Sequence, residues 1–151
     1  MEIDSEIYAL KTGNLLTITP KQYYQFKELK NAEGYILEFT YDFFCRDDKS
    51  LELVYHNGLY CHFALNEIIK TPDKESPDVI AAYFKTIKKE FANKQFEFEE
   101  SLHSLLKLLL IEVSRYKILQ QKRPLYTPDA PFLKFREVFK KNFRCNTVWP
   151  A

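Results

Sequence analysis

The sequence predicts an α+β fold, in which antiparallel strands come first, an antiparallel helix pair follows, and one further helix lies near the end. Two observations favour this class. Up to about residue 65, short runs of β-branched and aromatic residues alternate with turn signals, which is typical of strands. From about residue 76, apolar residues recur at three- and four-residue steps, which is typical of amphipathic helices. Strands that precede helices, rather than alternate with them, indicate α+β rather than a doubly wound parallel sheet.

Strands are expected in four runs, "EIYAL", "NLLTIT", "YYQFKEL" and "GYILEFTYDFF". Turn signals separate them at Thr12-Gly13, at Pro20-Lys21 and between Asn31 and Gly34. In the fourth run, every second residue from Tyr35 to Tyr41 is apolar, which indicates a strand with one buried face. The stretch "HNGLYCHF" offers another turn, with room for a further strand.

Helix signals begin at Ser76-Pro77, because proline is favoured in the first turn of a helix. The apolar repeat continues to Phe91, and a polar break follows at Asn93-Lys94. A second helix is expected from about Glu97 to Gln121. After the basic, proline-containing stretch "QQKRPLYTPDAP", a last helix is expected over about residues 131–143.

The second helix is apolar on two sides. Leu108 and Ile111 form the smaller strip, and the main stripe consists of Leu102, Leu105, Leu106, Leu109, Leu110, Val113 and Tyr116. A helix with two apolar sides needs two packing partners. One partner is the β region, and the other is the first helix or a second subunit. We therefore expect a homodimer with the main stripe at its interface, and unpaired sheet edges offer a further route to pairing.

Composition excludes several classes of function. The net charge of +1 gives no overall field that would attract nucleic acid or an anionic membrane. Only three glycines occur, which argues against a glycine-rich phosphate loop. Three cysteines without a C-x-x-C pair favour reduced thiols, and the amino-terminal residues lack the features of a signal peptide. The most apolar stretch is too short to span a bilayer, so we expect a cytoplasmic protein with no membrane partner.

The order of four segments resembles the sensor part of AraC/XylS-type transcriptional regulators. The segments are "GNLLTITPKQYYQF", "EGYILEFTYDFF", "IAAYFKTIKKEF" and "LHSLLKLLLIEVSRY", and the similarity extends over about residues 2–145. The resemblance implies a cupin-like β-barrel that binds an effector, followed by a helix pair that forms the dimer contact. We accordingly divide the chain into a cupin-like β region (1–70), a dimerisation helix pair (71–121) and a linker with one remaining helix (122–151).

The resemblance also implies that parts of such a regulator are missing. "FLKFREVFKKNFR" resembles the opening helix of the family's DNA-binding domain, but the helix-turn-helix units would lie beyond Ala151. The family's barrel begins several strands before Met1. We therefore expect a partial barrel or sheet and no sequence-specific DNA binding by this chain alone, since one helix cannot place several side chains on base edges.

Metal and catalytic sites are not expected. When the family's second cupin motif is aligned with its first glycine at Gly13, Thr19 occupies the proline position and Tyr24 occupies the histidine position. Only the first glycine of the motif is therefore retained. The histidines at 56, 62 and 103 do not match ligand spacings. Cys61 and His62 are neighbours whose side chains would point to opposite faces of a strand. We expect no metal, no cofactor and no enzymatic activity; a metal-dependent cupin enzyme is the alternative that elemental analysis tests.

An effector pocket is the remaining candidate site. The aromatic residues of the β region that could line it are Tyr8, Tyr23, Tyr24, Phe26, Tyr35 and Phe39. Aromatic rings with hydroxyl groups suit a small polar ring such as a sugar, although the same residues also fit the ordinary surface and core of an aromatic-rich sheet. We interpret the chain as an effector-sensing and dimerisation region. The alternative is a stand-alone small-molecule-binding β domain.

Overall fold

Two small antiparallel sheets precede two long helices in the computed structural model, which describes residues 1–27, 32–47, 50, 53, 59, 66–72 and 76–121. Within these residues the α+β class is confirmed. The strands are β1 (Glu2–Ile3), β2 (Glu6–Ile7), β3 (Asn14–Leu15), β4 (Tyr24–Gln25) and β5 (Ile69–Lys70). The helices are α1 (Tyr41–Phe44), α2 (Ser76–Asn93) and α3 (Phe98–Gln121).

The first sheet has the strand order β2-β1-β4, and both pairings are antiparallel. Asp4 and Ser5 form the two-residue turn between β1 and β2, with φ angles of 46° and 75°. Positive φ at both central residues is the geometry of a type I′ turn, whose twist matches that of the flanking strands. The predicted strand "EIYAL" is thus a strand only at Glu6–Ile7, and β1 before it was not predicted.

The second sheet pairs β3 with β5, and Leu15 lies opposite Ile69, which is fully buried. The other edge of β5 meets α3. The side-chain amide of Gln120 accepts a hydrogen bond from the backbone N–H of Lys70 at 2.9 Å and donates one to the carbonyl of Ile68 at 2.9 Å. A helix side chain therefore satisfies a strand edge that would otherwise be open to pairing.

Residues 35–44 differ from the prediction. The expected strand "GYILEFTYDFF" has no strand pairing over 32–40, and its end is the short helix α1. Thr40 caps this helix, since its hydroxyl accepts a hydrogen bond from the N–H of Phe43 at 3.2 Å. The predicted alternation of burial survives only in part, because Leu37 and Phe39 pack against the core whereas Tyr35 and Tyr41 are exposed. The segment therefore covers the core through two side chains instead of joining a sheet.

The two long helices match the prediction closely. The helix α2 begins at Ser76 and ends at Asn93, and α3 begins one residue later than expected. The connection bends through positive φ at Lys94 (45°) and Glu97 (58°), which turns the chain back so that the two helices pack together. Their contact, together with β5 and α1, forms the hydrophobic core.

The main stripe of α3 lies in this core. Six of its seven members are buried within the single chain: Leu102, Leu106, Leu109, Leu110, Val113 and Tyr116. The seventh, Leu105, is half-buried and packs at the edge of the core. Their burial needs no second subunit, so the predicted role of this stripe in a dimer interface gains no support from its position.

Three side chains on one row of α3 hold the segment around α1. His103 is buried, and its Nε2 donates a hydrogen bond to the carbonyl of Phe44 at 3.0 Å. Four residues further along, the Lys107 ammonium lies 3.8 Å from the Asp47 carboxylate. Three residues before His103, Glu100 pairs with Arg46, whose guanidinium also lies over the ring of Phe43. Spacings of three and four residues place these groups on one face, so α1 is fastened along that row.

Some predictions lie outside the described residues. They are the turn and strand at "HNGLYCHF", apart from Leu59, and the helix at residues 131–143. Within the described strands the two sheets do not close into a barrel, in agreement with a partial sheet. Among the described helices, none has both the length and the apolar character needed to cross a membrane.

Adjacent leucines on α3 test the assignment of the core. Leu109 is 3% exposed and Leu108 is 49% exposed. We expect Leu109→Ala to lower the free energy of unfolding by about 2–5 kcal/mol, because it leaves a cavity. The same change at Leu108 should cost about 0.5 kcal/mol. Urea unfolding followed by circular dichroism measures both, and equal losses would contradict this orientation of α3.

Candidate functional site

An open depression on the first sheet is the candidate site. It has a volume of about 660 Å³ and lies between the β1–β2 turn and β4. Its lining residues are Glu2, Asp4, Ser5, Tyr23, Tyr24 and Gln25. They provide two carboxylates, one hydroxyl, one amide and two phenol rings. The lining is therefore rich in hydrogen-bonding groups and aromatic faces, and the described residues that form it include no cationic side chain.

Asp4 connects the turn to β4. Its backbone N–H donates to the carbonyl of Tyr23 at 2.9 Å, and its Oδ1 accepts from the N–H of Tyr23 at 2.9 Å. Its Oδ2 accepts from the side-chain amide of Gln22 at 3.0 Å. With both carboxylate oxygens held, the carboxylate has a fixed orientation at the rim of the depression. Each oxygen keeps a second lone pair that can accept from a ligand.

A pair of side-chain amides supports Asp4 from behind. Gln22 donates to the Asn66 carbonyl oxygen at 2.7 Å, and Asn66 donates back to the Gln22 carbonyl oxygen at 3.0 Å. The same Gln22 oxygen also accepts from the N–H and the hydroxyl of the buried Thr19, both at 2.9 Å. The side-chain amide of Asn66 also donates a hydrogen bond to the carbonyl of Thr17 at 2.8 Å. This network joins the depression to the segment that leads into β5.

The two tyrosines of the depression have different surroundings. Tyr23 is 86% exposed, so its ring presents a nearly free face. Tyr24 packs edge-to-face against Phe26 with ring centroids 6.2 Å apart, and its hydroxyl donates to Glu38 at 3.1 Å. The hydrogen bond and the negative charge of Glu38 both raise the pKa of Tyr24 above its ordinary value of 10.0. The Tyr24 hydroxyl thus donates its proton to Glu38, and Tyr23 is available for stacking.

The charges around the depression are partly paired. Glu2 forms an ion pair with Lys27, with 2.5 Å between the ammonium and the carboxylate. Asp4 has hydrogen-bond donors around it and, among the described residues, no ion-pair partner. In the described part of the chain, no group of three histidine, cysteine or acidic side chains has an arrangement that could hold a metal ion. The arrangement can bind by hydrogen bonding and stacking, and it favours a neutral or cationic ligand over an anion.

The structure brings together two of the six aromatic residues proposed from the sequence, Tyr23 and Tyr24. Phe26 touches the site only through the Tyr24 ring. Tyr35 stacks on Phe84 at 5.0 Å between centroids.

The other two candidates lie elsewhere. Phe39 packs against Phe44 with centroids 5.6 Å apart, and Tyr8 pairs through its backbone with Met1. Phe39 and Tyr35 therefore contribute to packing, and Tyr8 contributes to backbone pairing. None of the three lines the depression.

Sequence reasoning missed the polar members of the site, Glu2, Asp4, Ser5 and Gln25. A signal was present in "EIDSEI", where two identical Glu-Ile pairs flank two turn-forming residues. Two short strand-like runs separated by two residues are typical of a β-hairpin. Applied to residues 2–7, that rule would have placed Asp4 and Ser5 in a turn beside a strand.

Gly13 and His103, considered above as metal-site residues, have structural roles. Gly13 adopts φ 77° in a turn, a conformation that suits glycine, and its carbonyl accepts from the N–H of Thr71 at 3.0 Å. His103 holds α1, as described above. His56, Cys61 and His62 lie outside the described residues.

Comparison with protein-family models, with curated proteins and with solved structures finds no match for this chain.

Replacing Glu38 tests the hydrogen bond that orients Tyr24. We expect Glu38→Gln to lower the pKa of Tyr24 toward 10.0, because the carboxylate that favours the protonated phenol is gone. Since the folded-state pKa is raised, the bond stabilises the fold below the ordinary tyrosine pKa and is lost as pH rises through the folded value. NMR titration of the tyrosine ring carbons, with Tyr24→Phe for assignment, measures the shift. An unchanged pKa would exclude the interaction.

The Asp4-Ser5 turn provides a second test. Ser5 has φ 75°, which is strained for a residue with a Cβ. We expect Ser5→Gly to raise the free energy of unfolding by about 1 kcal/mol. The matched control, Ser104→Gly on the exposed side of α3, should instead lower it by about 0.5–1 kcal/mol. Destabilisation by both substitutions in thermal unfolding would argue against the type I′ geometry.

Proposed function

We propose that this chain is the effector-sensing and dimerisation region of an AraC-type transcriptional regulator, and that it binds a small neutral polar ring such as a sugar without catalysing a reaction. The proposed site is the depression on the first sheet. The observation that carries the proposal is the exposed ring of Tyr23 beside the fixed carboxylate of Asp4. We further propose that the protein is cytoplasmic and forms a homodimer. We also propose that this chain alone does not bind DNA in a sequence-specific way.

Carbohydrate chemistry fits the groups that the depression offers. A sugar presents an apolar C–H face, which stacks on an exposed aromatic ring such as Tyr23, and a rim of hydroxyls that need directional partners. The carboxylate of Asp4 accepts from such hydroxyls, and the Ser5 hydroxyl and the Gln25 amide can donate or accept. Two carboxylates disfavour an anionic ligand. Because hydrogen bonds within the protein already orient Asp4, less ordering is needed when a ligand binds.

A continuous set of contacts connects the depression to the helices, which supports a sensing role. Asp4 contacts Gln22, and Gln22 pairs with Asn66. Asn66 lies three residues before Ile69 of β5, and β5 in turn bonds to Gln120 near the end of α3. A ligand that displaces Asp4 or Gln22 would therefore strain a path that ends on α3.

The alternative function is a stand-alone small-molecule-binding β domain. One observation favours it, namely the burial of the main leucine stripe of α3 within its own subunit. A subunit that covers this stripe by itself has less need of a partner. The two candidates share the depression and differ in whether pairing is part of the function.

A thermal-shift screen with neutral sugars and polyols tests the binding site. A ligand at about 100 times its Kd stabilises the folded state by about 2.7 kcal/mol, which raises the Tm by several degrees. We expect Tyr23→Ala to abolish the shift without lowering the Tm of the free protein, because the ring is outside the core. Phe96→Ala is the matched control, since Phe96 is an equally exposed aromatic residue far along the chain in the α2–α3 connection.

Two outcomes would contradict the proposed site. One is a panel in which no neutral sugar or polyol shifts the Tm of the unmodified protein. The other is a shift that Tyr23→Ala leaves intact, which would move the binding site elsewhere.

A further inference from the structure

The negative charge of the depression on the first sheet is only partly balanced. The lining contains two carboxylates, those of Glu2 and Asp4. Lys27, which is not part of the lining, forms an ion pair with Glu2. Asp4 has no such partner among the described residues, because the Gln22 amide and the Tyr23 N–H that hold it are neutral donors. The carboxylate of Asp4 therefore carries the uncompensated charge of the depression within the described part of the chain.

An exposed aromatic ring lies beside this charge. In the register of β1 and β4, Glu2 is opposite Gln25, so the two side chains share one face of the sheet. Asp4 comes two residues after Glu2, Tyr23 comes two residues before Gln25, and both line the depression. The hydrogen bond from the Asp4 N–H to the Tyr23 carbonyl, at 2.9 Å, keeps the two residues side by side. The carboxylate and the ring consequently border the same space.

A protonated amine is the ligand group that suits both of these neighbours. An ammonium carries a positive charge and three N–H donors, which match a carboxylate that lacks a cation and still has free lone pairs. A positive charge is also attracted to the face of an aromatic ring such as that of Tyr23. The Ser5 hydroxyl and the Gln25 side chain provide further acceptors in the same lining. A neutral hydroxyl in this place would keep a hydrogen bond but leave the Asp4 charge unbalanced.

We propose that the depression recognises an amino sugar, in which a protonated amine replaces one hydroxyl of the ring, in preference to the neutral sugar of the same shape. The ring stacks on Tyr23 and the amine lies against Asp4. A volume of about 660 Å³ suits a ligand the size of a sugar ring rather than an ammonium group alone. This inference rests on the proposed function for the site and for the stacking ring, and it adds the charge of the ligand.

The exposure of the site limits the size of the preference. Asp4 is exposed and Tyr23 is 86% exposed, so water and salt screen both interactions. A surface charge pair and an exposed cation–π contact together are expected to tighten the Kd by about five- to tenfold. Because salt screens exposed charges, this preference should become smaller as the ionic strength rises.

Matched sugars added to the full chain test the proposal. NMR titration of the backbone amides at about pH 6 compares glucose, glucosamine and N-acetylglucosamine, and then the same three forms of galactose and of mannose. An amine of this kind is protonated at that pH, whereas N-acetylation removes its charge. We expect the amino sugar of at least one series to bind about five- to tenfold more tightly than its two neutral counterparts. The preference should fall below about twofold when NaCl is raised from about 20 mM to about 500 mM.

Replacing Asp4 tests the carboxylate directly. Asp4 has φ 46°, and asparagine is well accepted at positive φ in such a turn, so Asp4→Asn should keep the fold. The readout is the ratio of the Kd values for the neutral sugar and the amino sugar, which should fall to about one. Glu6→Gln is the matched control, because it removes the same charge from an exposed position on β2 outside the lining. This control should keep the original ratio.

Three results would overturn the proposal. The first is an amino sugar that binds no more tightly than its neutral counterparts in every series that binds. The second is a preference that about 500 mM NaCl leaves unchanged. The third is a preference that survives Asp4→Asn. If that variant binds no sugar at all, the salt series on the unmodified protein decides.

The same titrations separate this inference from the proposed function. Binding of neutral sugars without a preference for the amine would overturn the inference and leave the proposed function standing. Binding of amino sugars alone would support the inference and contradict a neutral ligand. Absence of binding by every sugar would contradict both.

Discussion

Burial of one face of α3 is the constraint on which the rest of this structure depends. The helix contacts α1, α2 and β5, and its buried leucines form the centre of the core. Burial of a leucine side chain contributes about 1.5–3 kcal/mol relative to exposure, so this face supplies a large part of the driving force for folding. The polar row that includes His103 then determines where α1 lies against the helix.

The sheets depend on side-chain bonds as much as on strand pairing. Strands of two residues provide few ladder hydrogen bonds, and an isolated hairpin is at best marginally stable. The amide pair of Gln22 and Asn66, and the bonds of Gln120 to β5, supply the missing connections. Gln22 also holds the carboxylate of Asp4 in a fixed orientation. The candidate site is therefore supported by the same amide pair that connects the first sheet to the segment before β5.

A path of hydrogen bonds and covalent chain connects the depression to the long helices. On the first sheet Asp4 contacts Gln22, and Gln22 pairs with Asn66, which lies shortly before β5. Gln120 connects β5 to the end of α3. A shift of β5 would therefore act on the end of α3. This arrangement offers a physical route by which ligand binding and pairing would influence each other.

The sequence by itself determined the class and the two long helices, because a three-to-four-residue apolar repeat depends only on local spacing. It predicted α2 and α3 to within a residue and proposed Tyr23 and Tyr24 for the site. It was wrong about a strand at residues 35–44, since apolar residues at alternate positions, such as Leu37 and Phe39, can also cover the core from a segment without strand pairing. Only the tertiary structure decided which side of α3 is covered and which polar groups surround the tyrosines. Those outcomes depend on contacts between residues far apart in the chain, such as Gln22 with Asn66, which no local pattern records.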